Sequence, residues 1–164
     1  MKIDDRLREF EKLSENNWQR LIFRLRKHLD IWAQKKIKPS WGQMKLSYMP
    51  VIFNISMEGS TAIEISRKSK IAKQAMSRTV NELEEKGMIT SKIDKNDKRS
   101  ERLELTAKGK QLVLDAHLEL LKLQEDYKSL VGERNLKIAV DVINKIIEHH
   151  EKLNASDDEQ YVEE

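Results

Sequence analysis

The sequence contains no cysteine, which excludes disulfide bonds, thiolate metal sites and cysteine-based redox sensing. It has only five glycines and two prolines, so long helices with few turns are expected. No stretch approaches the roughly 20 apolar residues that a membrane span needs. The amino terminus, MKIDDRLREFEK, carries early acids and lacks the apolar segment of a secretion signal. We therefore expect a cytoplasmic protein with no membrane partner.

Charge is plentiful in the chain but nearly balanced. Of the 164 residues, 38% are hydrophobic and 36% are charged, and 31 basic against 28 acidic side chains give a formal charge of +3. This composition is typical of helices that bury one apolar stripe and expose a charged face. The length suits one folding unit. A net charge this small does not indicate a polyanionic partner. Whether the protein binds a polyanion must therefore be judged from where the basic residues lie along the chain.

The amino-terminal part of the sequence shows one long helical pattern. Apolar residues recur mostly at steps of three and four between Ile3 and Trp32, which predicts a single helix from about Asp4 to Lys36. Pro39 explains why the helix stops, because the residue before a proline avoids the helical conformation.

A shorter helix is predicted from Ser47 to about Met57. Pro50 then lies in its first turn, where the missing N–H and fixed φ of proline cost least. If the helix starts instead at Gly42, Pro50 must kink it. Gly59 closes the helix, since glycine readily adopts the left-handed conformation common after a helix end.

Two helices joined by a tight connection follow, and they predict a helix-turn-helix. The first covers Thr61–Lys68 and the second about Ala72–Lys86. In the second helix, Met76, Val80 and Leu83 stand at i, i+4 and i+7, so they are expected to face the core. The side chains that then face away are those of Gln74, Ser77, Arg78 and Asn81.

The periodicity changes after Gly87. Apolar positions alternate with polar ones from Ile89 to Ile93 and again from Arg102 to Leu105, which predicts two short strands. The polar stretch Asp94–Ser100 lies between them, so this segment is predicted to be a β-hairpin with a charged tip.

Two helices are predicted at the carboxyl end. Thr106 caps the first, which Gly132 ends. The second covers about Glu133–Leu153 and carries two neighbouring apolar rows, a wider apolar face than one neighbour within the chain usually covers. The tail Ala155–Glu164 is acidic and has little to pack, so it is expected to be disordered.

The basic residues are concentrated in the helix-turn-helix. Between Ser66 and Asn81 the chain has no acid and five basic residues: Arg67, Lys68, Lys70, Lys73 and Arg78. Such groups neutralise phosphates and release counterions, which supplies most of the non-specific energy of DNA binding. A basic stretch at helical spacing is, on its own, more often a solvated face. Its coincidence with a helix-turn-helix and a charged hairpin favours a DNA-binding surface.

No catalytic or metal-binding arrangement is evident in the sequence. The four histidines lie far apart or on different faces, which favours structural or surface roles over metal binding: His28, His117, His149 and His150. There is no Ser-His-Asp order, carboxylate pair or glycine-rich phosphate loop. We therefore expect no enzymatic activity and no cofactor.

Four segments in combination resemble the MarR family of bacterial and archaeal regulators. They are AKQAMSR (72–78), VNELEEKGMI (80–89), DKNDKR (94–99) and LELTAKG (103–109). The resemblance implies a winged-helix homodimer whose first and last helices interlock, with the helix 72–86 in the major groove of double-stranded DNA. It also implies a wing tip that reaches the minor groove through Arg99 and is braced by Asp97.

The predicted fold is therefore mainly α with a small β-hairpin wing. Residues 1–40 and 107–154 are expected to be dimerisation helices that flank a winged helix-turn-helix lobe at 41–106, in one structural domain. Through the resemblance we expect a transcriptional repressor that binds a pseudo-palindromic operator. The residues expected to contact DNA are Lys70, Lys73, Gln74, Ser77, Arg78, Asn81, Lys98 and Arg99.

Family members often respond to small aromatic effectors, and Trp18, Trp41 and Tyr48 are the candidates here for lining an effector pocket. Aromatic residues on helical stripes are, however, more often core packing. Two departures from the family pattern remove expected contacts. Ala72 replaces the Ser or Thr that usually starts the recognition helix, and Asn96 replaces the Arg that commonly precedes the wing aspartate.

Two other functions fit the same sequence. A winged-helix adapter would contact protein and not DNA, but it predicts apolar groups at positions where this chain has Gln, Ser, Arg and Asn. A helical protein that binds a small molecule, with no DNA partner, is the other alternative.

Overall fold

A computed structural model describes residues 3–13, 17–71, 73–93 and 101–160. The chain divides into two compact units, Met1–His117 and Leu118–Glu164. The division falls within a helix and does not coincide with the boundaries expected at residues 40 and 106, which stay a prediction.

The amino-terminal helix is interrupted, so the prediction of one continuous helix is wrong. Helix α1 covers Ile3–Leu13 and helix α2 covers Trp18–Lys36. Asn17 has an extended conformation, and its Oδ1 accepts hydrogen bonds from the backbone N–H groups of Gln19 and Arg20. Asparagine is a favoured N-cap because it satisfies N–H groups that have no partner in the first turn. A new helix therefore starts here.

The predicted helix 47–57 is much shorter in the structure. A 3₁₀ turn, Leu46–Tyr48, leads into helix α3, Met49–Ile52. Pro50 lies in the first turn of α3, as predicted, and the alternative of a kinked helix starting at Gly42 is wrong. Asn54 ends the helix early because its side-chain amide donates to the Pro50 carbonyl, 2.8 Å away.

The helix-turn-helix is confirmed. Helix α4 covers Ala62–Ser69 and helix α5 covers Lys73–Glu85. Thr61 and Glu64 form a reciprocal capping box at the start of α4, in which each side chain accepts from the other residue's backbone N–H.

The hairpin is confirmed and belongs to a three-stranded antiparallel sheet. Strand β2, Ile89–Ile93, pairs with strand β3, Glu101–Leu105, in the register Ile89 to Leu105. A strand that was not predicted, β1 at Ser60–Thr61, pairs with the other edge of β3. Two residues are too few to show the alternation by which a strand is predicted. The hairpin tip, 94–100, lies outside the described residues.

The core of the first unit is formed by buried apolar side chains from α2, the 3₁₀ turn, α3, α4, α5, β2, β3 and the start of helix α6, Ala107–Val131. The apolar residues with 2% exposure or less are Met44, Tyr48, Val51, Ile52, Ile65, Met76, Leu83, Met88 and Ile89, with Ala116 from α6. Thr106 caps α6 as predicted, because its Oγ1 accepts from the backbone N–H of Gly109 at 3.1 Å. This core fixes α5 from one side.

In the second unit, Gly132 ends α6 as predicted, with a φ of 82° that glycine adopts readily. Helix α7 covers Glu133–Gln160. It therefore continues into residues 155–160, which were expected to be disordered, because no glycine or proline stands there to stop it. Residues 161–164 lie outside the described part. Several large apolar side chains of α7 are exposed: Ile138, Val140, Val142, Ile143 and Ile147.

Candidate nucleic-acid interface

Helix α5 has one face in the core and the other in solvent. Met76 and Leu83 are completely buried, Val80 packs against the same core, and Thr79 is buried between them. Ser77, Arg78 and Asn81 are exposed on the opposite face, as the periodicity predicted. The backbone of Lys73 and Gln74 belongs to α5, but their side chains are outside what the structure describes.

The connection between α4 and α5 exposes Lys70 beside the start of α5. Lys70 has a left-handed backbone conformation, with a φ of 56°. The hydroxyl of Ser66 donates to the carbonyl of Ile71 at 2.7 Å, which closes the turn over Lys70. The last turn of α4 adds two exposed basic residues, Arg67 and Lys68. Three of the basic residues predicted from the sequence, Arg67, Lys68 and Lys70, are therefore at the solvent surface.

Glu82 connects the exposed face of α5 to the core. Its Oε2 accepts hydrogen bonds from Lys45 Nζ and Tyr48 Oη, both at 2.7 Å. Its Oε1 accepts from Arg78 Nε at 3.1 Å. We call Lys45, Tyr48, Arg78 and Glu82 the Glu82 cluster. Only the Arg78–Glu82 pair could have been predicted, because i and i+4 are neighbours on a helix; Lys45 and Tyr48 are distant in sequence.

The cluster keeps its charges at neutral pH. Hydrogen bonds from Lys45 and then Tyr48 are the main causes that lower the pKa of Glu82 from 4.5 to about 2. The same carboxylate raises the pKa of Lys45 above its ordinary value. Burial raises the pKa of Tyr48, whose phenol therefore stays protonated and continues to donate. The ion pairs of Glu82 are thus complete near pH 7.

The base of the hairpin is tied to the start of α4. Arg102 on β3 donates through Nη1 to the carbonyl of Gly59 at 2.7 Å. Gly59 has a φ of 82°, and a Cβ there would lie only 2.8 Å from Cγ of Arg102. Only glycine fits this position without a shift. The predicted contact residues at the hairpin tip, Lys98 and Arg99, and the brace Asp97, lie outside the described residues.

The three aromatic residues predicted to line an effector pocket have different surroundings. Tyr48 has no exposed surface and packs edge to face with Trp41, with 6.2 Å between ring centroids. Lys86 Nζ stands 5.2 Å from the centre of the Trp41 ring. Trp18 lies at the first residue of α2 and is partly exposed. The structure thus brings Trp41 and Tyr48 together, and it gives Tyr48 a place in the core and in the Glu82 cluster.

Among the described residues, no group of three or more His, Asp or Glu side chains is placed to hold a metal ion. Within the same part of the chain, none of the helices combines the length and the apolar character needed to cross a membrane.

The comparisons with known proteins agree with this geometry. Residues 43–100, which contain α3 to β2, match the model of the MarR family. The HTH-type transcriptional regulator BilQ of Clostridioides difficile is 25% identical over 146 residues, which cover 82% of this chain and 95% of BilQ. These two matches make the chain similar to regulators of the MarR family.

Solved structures of this family share the fold. A MarR transcriptional regulator from Methanosarcina mazei Go1 superposes with a TM-score of 0.72 and 25% identity, covering 82% of this chain and 96% of that one. CouR from Rhodococcus jostii RHA1, solved bound to p-coumaroyl-CoA, has a TM-score of 0.68 and 18% identity, covering 80% of this chain and 92% of CouR. The chain therefore has the winged helix-turn-helix fold of the MarR family transcriptional regulators to which it is similar.

Proposed function

We propose that this chain is a transcriptional regulator of the MarR family. Two copies of it form a homodimer that binds a pseudo-palindromic operator in duplex DNA and represses transcription by occluding it. The observation that carries the proposal is the outward face of α5. Ser77, Arg78 and Asn81 are exposed there, while Met76 and Leu83 fix the opposite face in the core. A helix held in this way can enter a major groove without losing its own packing.

The exposed side chains have the chemistry that reading base edges requires. The guanidinium of Arg78 can donate to guanine O6 and N7, and the amide of Asn81 can pair with adenine N6 and N7. Lys70, at the tight turn before α5, can neutralise a phosphate. A protein-binding adapter would instead need apolar groups on this face, and the described outward positions of α5 other than Ala75 are polar.

The apolar surface of single chains supports the dimer. Exposed apolar side chains follow α7 at Val140, Ile143 and Ile147, the spacing of one helical face. In α1, Ile3, Leu7 and Phe10 are exposed at the same spacing. Monomeric proteins rarely expose large contiguous apolar patches. We therefore propose that the helices in 1–40 and 107–154 form the dimer interface, and that 41–106 binds DNA.

Selection of bound duplexes from a random pool tests the proposal. A two-fold dimer should enrich inverted repeats whose half-site centres are about 10–10.5 base pairs, or 34–36 Å, apart. Arg78→Ala should lose the preference for one base in each half-site, while Arg26→Ala, on α2, serves as the control for loss of one exposed arginine. If the wild type enriches no sequence and binds every duplex weakly, the alternative of an adapter that contacts protein is favoured.

Relief of repression by an aromatic effector is the finer part of the proposal. It is supported by CouR, which was solved with p-coumaroyl-CoA. It is also supported by an open recess of about 650 Å³ whose lining includes Lys35 and Lys38, cations suited to an anionic ligand. Trp41 lies next to this lining in sequence, so titration with p-coumarate should change the tryptophan fluorescence. A titration that leaves both fluorescence and DNA binding unchanged would remove this class of effector.

A further inference from the structure

The Arg78 side chain combines high exposure with a fixed position. Its relative exposure is 87%, yet Nε is held by Glu82 at 3.1 Å. Guanidinium carries five N–H donors, one on Nε and four on the two Nη atoms. Among the described residues, none accepts a hydrogen bond from the Nη atoms. Arg78 is therefore anchored through Nε, while the N–H groups of its two Nη atoms, here called the Arg78 fork, remain available to donate to a ligand.

The carboxylate that holds Arg78 is itself fixed from the core. Both other donors to Glu82 come from the 3₁₀ turn and the residue before it, Tyr48 and Lys45, and not from α5. Tyr48 has no exposed surface, so its hydroxyl provides an immobile reference point. Glu82 is 23% exposed and cannot rotate away without breaking three hydrogen bonds. A chain of contacts thus runs from the buried Tyr48 to the exposed Arg78.

We propose that Glu82 is a positioning residue that presets the Arg78 fork for a guanine in the operator. This inference rests on the proposed function, in which Arg78 contacts a base. Guanine presents two acceptors, O6 and N7, that match the two Nη atoms of one arginine. Free arginine must give up the rotational freedom of a long side chain to reach this geometry. Glu82 restricts the Arg78 side chain before DNA binds, so part of this entropic cost is not incurred on binding. The benefit is largest for an operator with guanine at this position, because guanine can accept from both Nη atoms.

The opposite role, in which Glu82 competes with DNA for Arg78, makes a different prediction. A competing carboxylate would occupy the Nη donors, whereas Arg78 contacts Glu82 through Nε alone. Removing any negative charge from this surface should also strengthen binding to every duplex, because phosphates are repelled less. Affinity for a single duplex therefore does not separate the two roles. The two roles are separated by a ratio of affinities, that for the guanine-containing site over that for a site in which this guanine is replaced.

The experiment uses the selected operator and the same operator with the Arg78-dependent base replaced. Glu82→Gln should lower the ratio of affinities about threefold to tenfold, which is in the lower part of the range of coupling between neighbouring residues. Glu85→Gln is the matched control, since it removes the same charge from an exposed position on α5, and it should leave the ratio unchanged. In Glu82→Gln combined with Arg78→Ala, the ratio should fall no further than in Arg78→Ala alone.

Tyr48→Phe keeps the aromatic ring in the core and removes only the hydrogen bond to Glu82, so it tests the same inference if Glu82→Gln folds poorly. It should lower the ratio in the same direction but less. If Arg78→Ala lowers the ratio while Glu82→Gln and Tyr48→Phe do not, Glu82 is merely structural and the inference is wrong, although the proposed function stands. If Arg78→Ala itself leaves the ratio unchanged, the proposed base contact of Arg78 fails.

Discussion

Replacing Gly109 by alanine should destabilise the chain, although alanine is the better helix former. Gly109 lies in the first turn of α6, against the end of the segment that leads into β2. An added Cβ would lie 2.0 Å from the Met88 carbonyl oxygen and 3.3 Å from Cδ2 of Leu105. The same carbonyl accepts from the backbone N–H of Thr106 at 3.0 Å, and the Thr106 hydroxyl lies between it, at 3.1 Å, and the carbonyl of Gly87, at 2.7 Å. The helix cannot move away from Met88 without breaking these bonds.

The size of this destabilisation follows from one gain and two costs. Alanine gains about 1 kcal/mol over glycine in a helix. Overpacking of this kind costs about 1–3 kcal/mol, and each hydrogen bond lost at Met88 costs roughly another 1 kcal/mol. The net loss in free energy of unfolding should be about 2 kcal/mol, which lowers the unfolding temperature of a chain this long by about 4–8 °C.

Urea unfolding followed by circular dichroism measures this loss, at one fixed protein concentration because dimerisation would also stabilise the fold. Lys110→Ala is the control, since Lys110 is the exposed next residue of the same helix and its change should stay within about 0.5 kcal/mol. A Gly109→Ala protein as stable as the wild type, or more stable, would refute the packing described for α6 and Met88.

Three further predictions concern other parts of the chain. Thr61→Ala removes the capping box of α4 and should cost about 1 kcal/mol in urea unfolding, whereas Thr61→Ser should cost little; equal losses would contradict the cap. The pKa of Glu82 is lowered on folding, so the stability advantage of the wild type over Glu82→Gln should be full above the ordinary pKa of 4.5 and shrink as the pH falls towards about 2. Urea unfolding at pH 7 and pH 3 checks this, and an advantage that grows on acidification would mean that the sign is wrong. Arg99→Ala, predicted from the sequence to lose a wing contact, should weaken binding to all duplexes and reduce the salt slope by up to about one; an unchanged affinity and slope would remove Arg99 from the interface.

Features set by local pattern were predictable from the sequence. The stripe of Met76, Val80 and Leu83 repeats at helical spacing, and it correctly separated the buried from the exposed face of α5. Thr106 was identified as a cap because a hydroxyl before a helix can satisfy its first N–H groups. The hairpin followed from alternation in both strands. Each of these depends on residues a few positions apart.

Features set by distant or competing contacts were missed. The apolar steps through α1 and α2 indicated one helix, but the side chain of Asn17 competes for the backbone and starts a second. Asn54 shortens α3 in a similar way. The bonds from Lys45 and Tyr48 to Glu82 join residues more than thirty positions apart, and no local pattern indicates them. The contacts that fix Glu82 from the core could therefore not be predicted from the sequence.

Site-specific crosslinking tests most directly whether the outer face of α5 meets duplex DNA. The chain has no cysteine, so Asn81→Cys and Glu148→Cys each provide a unique position for a benzophenone photocrosslinker, the first on α5 and the second on α7. With the selected duplex bound, position 81 should crosslink to DNA, in competition with unlabelled duplex, while position 148 should not. DNA bound without any crosslink from position 81, or with equal crosslinking from both positions, would contradict the account.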